Sequence, residues 1–446
     1  MSKTFPIGGV HPHDHKITAQ KAIEVAPIPS KVMIFTSQHI GAPAEVIVAK
    51  GDTVKVGQMI AKAAGFVSAP VHSSVSGKVM AVDAVKDGGG LRKMAVTIAV
   101  SGDEWDESID RSEGLVGECT LDPKDIIEKI KNAGIVGLGG ATFPCGVKLS
   151  PPPGKKAEVL IINGVECEPY LTADHRLMLE KADEFLVGCK IVMRALGVSK
   201  CYIGIEKNKP DAIEFLSGKV SDGIEVVPLK VQYPQGGEKQ LIAAVTGREV
   251  PSGALPIEVG AVVQNVGTIF AIYEAVQKNK PLFERVTTVT GVEVPEPKNL
   301  MVRVGTPISE LMALCGVSAD IEGKVINGGP MMGRAMCNVD APTTKGTSGV
   351  LVMPLGESSR VEPSACISCA KCVDACPMGL EPYLISKVAK LGLTDKYVET
   401  KAHDCIECGC CSFSCPAGIP LLDYIRLAKG GALGQIRAAA AAAAKK

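Results

Sequence analysis

The chain has 446 residues, a formal net charge of zero, 4% aromatics and 16 cysteines. That length suggests about three domains, and interspersed charge with so few aromatics argues against a nucleic-acid partner. No stretch approaches ~20 uninterrupted apolar residues, and the opening "MSKTFPIGGVHPHDHK" lacks the apolar core of a signal peptide, so no transmembrane segment is expected and the cysteines are expected in a reducing compartment, as metal ligands rather than disulfides.

The histidines of "HPHDH" (His11, His13, His15) have a metal-tract composition but read as a solvated terminal segment. From about residue 20 to 100, short Val/Ile-rich runs between glycine turns predict an all-β unit. The pattern "KGDTVKVGQMI…SAPVHSSVSGKV" resembles biotinyl/lipoyl domains, which are barrel-sandwich hybrids. Their carrier lysine would fall near "GFVS", where there is none; Lys62 is too early and Lys78 lies in the closing strand. The resemblance implies the fold without the swinging arm, over a domain taken as 1–115. Such a domain is expected to dock onto partner subunits, and deleting residues 1–100 is expected to spare NADH oxidation.

After the acidic linker "SGDEWDESIDRSEG" the pattern turns to alternating strands and helices. "LDPKDIIEKIKNAG" predicts a helix with Asp122 as N-cap, Pro123 in the first turn and Gly134 as stop. "AEVLIINGVE", "KCYIGIE" and "IEVVPLK" predict buried strands; "DHRLMLEKADEFLVGCKIVMRALGV" predicts one long helical stretch. "KPDAIEFLSGKV", "EKQLIAAVTG" and "GTIFAIYEAVQKN" predict further helices. The β-α order implies an α/β domain, about 116–285, with a mostly parallel sheet. Four loops are candidate ligand sites: "GIVGLGGATFPCGVK", "NGVECEPYLTADHR" at a strand's carboxyl end, "YPQGGEKQLI" opening a helix, and "VVQNVGTIF".

These loops, in this order, resemble the flavin- and NADH-binding subunit of respiratory complex I and its relatives. "GLGGATFP" matches a Gly-x-Gly-Gly-x-x-Phe-Pro loop, "NGVECEP" an Asn-x-x-Glu-x-Glu-Pro loop, "GGEK" a Gly-Glu helix start and "NVGT" an Asn-Val-x-Thr segment. Leu138 stands where that family has arginine, and Lys239 where it has a second glutamate. The resemblance implies FMN held by Gly137, Gly139, Gly140, Lys148, Asn163, Gly236, Asn265 and Thr268. It implies NAD(H) beside Phe143, Glu166, Glu168 and Glu238, with Phe143, Glu166 and Glu168 nearest the hydride transfer.

"TTVTGVEVPEPKNLMVRVGTPISELMALCGV" reads as strand, turn, strand and helix, and resembles the β-grasp module beside the flavin domain in that family, about 286–355. Nine of the 16 cysteines then lie between Cys366 and Cys415. Cys366, Cys369, Cys372 and Cys376, followed by proline, repeat as Cys405, Cys408, Cys411 and Cys415, also followed by proline. This is the spacing of bacterial two-cluster ferredoxins, in which the fourth cysteine of each run ligates the other cluster. The expected sets are Cys366, Cys369, Cys372 and Cys415 for one 4Fe-4S cluster, and Cys405, Cys408, Cys411 and Cys376 for the other. Zinc ribbons use cysteine pairs rather than this cadence. A helical two-cluster domain is expected over 356–430, with a tail at 431–446 and Cys410 as a bystander.

From near residue 4 to about 425 the chain resembles the RnfC family of the Rnf electron-transport complex, on "TFPIGGVHPHDHK", "SAPVHSSVSGKV", "INGVECEPYLTADHRLM", "IEKNKPDAI", "YPQGGEKQLI" and the paired cysteine runs. The resemblance implies a peripheral protein on the cytoplasmic face of a membrane complex, exchanging hydride between NAD(H) and FMN and single electrons through two clusters. It implies other Rnf subunits as partners, with ferredoxin reached through one of them. A cobalamin reductase of microcompartments, and a non-catalytic electron relay, would share these motifs.

Overall fold

The computed structural model describes residues 3–221 and 223–443. Four units follow the chain, preceded by an extended strap. In the barrel, the strands Lys31–Phe35, Thr53–Val54, Gly77–Lys86 and Arg92–Val100 form one sheet, and Glu45–Val46, Met59–Lys62 and Val71–His72 form a second. Alternating residues of both sheets, among them Val32, Ile34, Ile60, Val71, Val79 and Ile98, fill the space between them. Lys62 lies at the end of its strand in an ion pair with Glu45, and Phe66 of "GFVS" is exposed.

Within the expected 1–115 unit, residues 3–26 lie outside the barrel itself, because their backbone groups pair with the other units. Lys3 bridges to Leu229, Val10 exchanges two hydrogen bonds with Tyr233, and Gly9 N–H donates to Ala375 O. Ile23–Val25 adds a parallel edge strand beside Lys298–Arg303. The His11, His13 and His15 side chains are exposed as expected, with His15 stacked on Tyr170 at 4.8 Å.

The α/β unit carries a four-stranded parallel sheet of Val159–Asn163, Cys201–Glu206, Ile224–Leu229 and Ala261–Asn265. Successive strands are added on one side of Val159–Asn163, and then the chain crosses to place Ala261–Asn265 on its other side. That reversal is a topological switch point, where the loops above the strands part and leave a crevice. Helices Pro123–Asn132, Ala182–Leu196 and Val266–Lys278 pack one face through Ile126, Ile130, Phe185, Ile191, Ile269 and Ile272. The expected single helix over 174–198 is two, Ala173–Glu180 and Ala182–Leu196, because Lys181 leaves helical geometry at φ −125° and ψ 33°.

Glu284–Thr290, Lys298–Arg303, Gly323–Asn327, Arg334–Ala335 and Gly349–Pro354 complete a six-stranded mixed sheet with the strap's strand, covered by the helix Ile308–Leu314. Lys345 joins three units: its ammonium donates to Pro70 O of the barrel and Gly134 O of the α/β unit at 3.1 and 2.8 Å, and burial pulls its pKa down to about 7. The cluster unit is built on Pro382–Lys390 and the long helix Leu421–Ala443. Of the expected tail at 431–446, read from sequence as a frayed helix or tether, residues 431–443 continue the helix and 444–446 lie outside the described residues. Ala432 is buried, and the Gln435 side chain donates to Thr394 O at 2.8 Å.

Candidate functional site

Strand register builds the crevice. Asn163 and Asn265 end neighbouring parallel strands and sit directly opposite one another at the switch point. Asn265 caps the helix Val266–Lys278, its Oδ1 accepting from Thr268 N–H at 3.2 Å. Its Nδ2 donates to Asp174 at 2.6 Å. Asn163 Nδ2 donates to Gly236 O at 2.8 Å, which ties the third loop to the second.

The glycine loop folds over this floor. Gly137 N–H donates to Phe143 O at 2.9 Å, and Leu138 N–H to Thr268 Oγ1 at 2.9 Å. A Cβ on Gly139 would come within 2.9 Å of the Asn265 amide, whereas one on Gly140 would meet open space. Gly139 and Gly140 are exposed and Phe143 is half-buried beside them. Leu138 presents its backbone to Thr268 and buries its side chain, and Lys239 turns away to Pro251 O. Lys148 and Glu238 meet in an ion pair at 2.6 Å, linking the first and third loops. The residues read from the four loops therefore gather around one crevice.

The two glutamates of the second loop are engaged differently from what sequence suggested. Glu166 adopts φ 45°, rare for a side chain of that size, and its carboxylate accepts from Asp174 N–H and His175 N–H at 2.9 and 3.1 Å. It caps the helix Ala173–Glu180. Glu168 accepts from Met331 N–H and Met332 N–H at 3.1 and 2.7 Å, so it clamps the β-grasp unit; burial pushes its pKa up to about 7 against those two bonds. Asp174 is also pushed up to about 7, by burial and by the Glu166 carboxylate, with Arg285 opposing.

Sequence reasoning passed over several residues that only the fold brings here. Lys16 of the strap and Lys209 bind backbone carbonyls of the second loop. Arg285 donates to Leu138 O at 3.2 Å from beneath the glycine loop. Tyr233, whose backbone pairs with Val10 of the strap, donates its hydroxyl to Cys408 O at 2.8 Å. Lys16, Lys209 and Tyr233 fall within segments that carry the family resemblance, but nothing in those segments tells which partner each side chain takes.

Beyond Tyr233 lies a cavity beside the second cysteine run. Cys376, Cys405, Cys408 and Cys411 all line it, with Cys410 and apolar residues such as Ile385, Leu422 and Ile425, and no charged side chain does. Cys376 thus lines the same cavity as three cysteines of the second run. Among the described residues no three His, Cys, Asp or Glu side chains close on a point the size of one metal ion; these four thiols ring a wider volume, which suits a cluster. Burial and the neighbouring thiols push Cys411 up to about 12. The first run is more open: Cys366 and Cys369 are exposed, while Cys372 and Cys415 are half-buried and close enough for their charges to interact. Both runs share one backbone: the second and fourth residues after the leading cysteine are left-handed in each, Ser368 and Ala370 matching Glu407 and Gly409.

Comparison with known proteins agrees with this construction. Residues 3–103 match the family described as the RnfC barrel sandwich hybrid domain, 130–274 the Nuo51 FMN-binding domain, and 357–419 the 4Fe-4S dicluster domain. Fold and site thus define an FMN- and iron–sulfur-dependent oxidoreductase of mixed α/β architecture. The chain is 50% identical to a subunit of the proton-translocating ferredoxin:NAD(+) oxidoreductase complex of Clostridium ljungdahlii, over 90% of this chain and 87% of that one. It is 47% identical to the counterpart in the Na(+)-translocating complex of Acetobacterium woodii, over 96% and 97%. It is 43% identical to the counterpart in the ion-translocating oxidoreductase complex of Rhodobacter capsulatus, over 84% and 73%. The chain belongs to this family, the RnfC subunits of the Rnf complex.

Proposed function

We propose that this chain is the NAD(H)-handling subunit of an ion-translocating ferredoxin:NAD oxidoreductase complex, held peripherally on the cytoplasmic side of the membrane by other subunits and meeting ferredoxin only through one of them. The observation that carries this reading is the switch-point crevice joined, through Tyr233, to a cavity ringed by four thiols. No helix among the described residues is long and apolar enough to cross a membrane.

When bound, FMN supplies the conversion between hydride transfer and single-electron transfer, and the clusters carry electrons one at a time. The chain's residues bind and orient. Gly137, Gly139 and Gly140 offer backbone to FMN, with Asn163, Asn265 and Thr268 as the floor and Lys148 and Gly236 at the flanks. Phe143 presents an apolar surface to the nicotinamide. Glu166, Glu168 and Glu238 fix the loops that shape the dinucleotide side through the bonds described above. Hydride transfer requires no general base, and no side chain is assigned that role. The crevice and the second-run cavity are bridged by the Tyr233–Cys408 bond, while the first run lies on the surface. This supports the order crevice, second-run cluster, first-run cluster.

Anaerobic addition of NADH, followed by visible and EPR spectra, tests the reading. Flavin bleaching with reduced-cluster signals is expected. Clusters that respond to dithionite but not to NADH, even with FMN supplied, would reduce the protein to a relay.

A further inference from the structure

The strap crosses the second loop at Lys16. The Lys16 ammonium donates to three backbone carbonyls: Glu166 O at 2.7 Å, Glu168 O at 2.9 Å and Leu171 O at 2.6 Å. An ammonium has three protons and a tetrahedral head, so three converging carbonyls satisfy it fully. The loop needs such a tie. Glu166 at φ 45° and Tyr170 at φ 70° hold left-handed backbone that the chain would not adopt unaided. Its carbonyls converge on one point, and that point is supplied by a residue some 150 positions earlier. The same strap reaches the cluster unit, where Gly9 N–H donates to Ala375 O, beside the ligand Cys376, and Val10 packs against Cys408.

We infer that Lys16 is a positioning residue for the redox site: it holds the Glu166–Leu171 loop in its reactive shape and places a positive charge beside the flavin crevice. This deepens the proposed function and rests on it for the effect on NADH. Lys209 supports the same loop from the other side through Val165 O at 2.7 Å, but it comes from the α/β unit itself and has Glu206 within 3.9 Å. Lys16 gathers the loop's carbonyls from outside the unit. Its pull on the flavin is electrostatic, since a nearby cation favours the more negative, reduced form.

The test uses the full chain with FMN and clusters, as Lys16→Met, Lys16→Arg and, as a control, Lys3→Met. Lys3 anchors the strap to Val245 O at 3.1 Å without touching the loop. Two quantities are read: KM against kcat for NADH with a soluble acceptor, and the FMN midpoint potential by dye-mediated dithionite titration. In both Lys16 variants KM is expected to rise about tenfold, equivalent to about 1.4 kcal/mol, because neither methionine nor a planar guanidinium satisfies three converging carbonyls. The potential is expected to fall in Lys16→Met and to hold in Lys16→Arg, which keeps the charge. Lys3→Met is expected to change neither. Unchanged KM and potential in Lys16→Met at full FMN and iron content would overturn the inference, as would equal changes in Lys3→Met. If Lys16→Met does not fold, the KM of Lys16→Arg decides. A wild-type protein that titrates with dithionite but ignores NADH defeats the reading of the preceding subsection; the potential of Lys16→Met then decides the role of Lys16.

Discussion

The two cysteine runs share spacing and backbone, yet the protein places them in opposite surroundings. Cys408 and Cys411 are each 7% exposed, between Tyr233 and the long C-terminal helix; Cys366 and Cys369 stand at the surface on a segment without regular secondary structure. The second run is further braced by Glu407, whose carboxylate accepts from Arg426 and Lys429 at 2.9 and 2.8 Å. The repeat therefore encodes chemistry, and what flanks each copy encodes position. A buried cluster suits exchange inside the chain, and an exposed one suits exchange with a partner.

The sharpest break in this pairing is Cys408→Ala. It removes a proposed ligand and loosens the junction with Tyr233, so about half the iron is expected to be lost, and NADH should bleach flavin without reducing the remaining cluster. Iron analysis with EPR checks both. Cys369→Ala is expected to lose the same share of iron with a smaller cost in stability, and NADH should still reduce the cluster that remains. Reduction of the survivor in Cys408→Ala and not in Cys369→Ala would reverse the proposed order. Tyr233→Phe keeps every ligand but leaves the buried Cys408 carbonyl without its donor, a loss of about 1–3 kcal/mol. A lower urea midpoint with unchanged iron is expected, and slower cluster reduction in stopped flow.

The smallest effect lies on the crevice side and should leave both runs untouched. Asp174 is raised from 3.8 to about 7 by burial and the Glu166 carboxylate. A carboxyl raised on folding contributes stability that is complete below its unfolded value and lost as pH rises through about 7. The melting temperature should therefore fall between about pH 4 and about pH 7. Asp174→Asn should flatten that decline without altering iron content.

Much of this was legible in the chain. The cysteine cadence pointed to Cys376 beside the second run, where the two share a cavity, because a cluster's geometry is local and leaves little freedom in spacing. Asn163 and Asn265 were legible because each follows a strand and opens a turn or helix, and parallel register did the rest. The strap was not. Its residues have no periodicity, and its partners lie some 150 positions or more away, so the motif that carries His11 and Lys16 does not announce what they touch. The roles of Glu166 and Glu168 were also hidden, since a carboxylate looks the same in sequence whether it faces a ligand or caps a helix. The break at Lys181 interrupts an apolar pattern that continues on both sides of it.

The strap also bears on how the protein is made. It precedes all its partners in the chain, yet Gly9 and Val10 find their seats only on Ala375, Tyr233 and Cys408. During synthesis, in which N-terminal segments emerge first, its contacts with Ala375 and Cys408 must wait until the last unit is present. A chain interrupted before the cysteine runs would carry a strap held at Lys3, Val10 and Lys16 but without the partner of Gly9. Removing residues 1–100 would likewise take Lys16 away along with the barrel, so that deletion should impair NADH oxidation rather than spare it. Biogenesis of the electron donor site is in this way tied to completion of the electron acceptor.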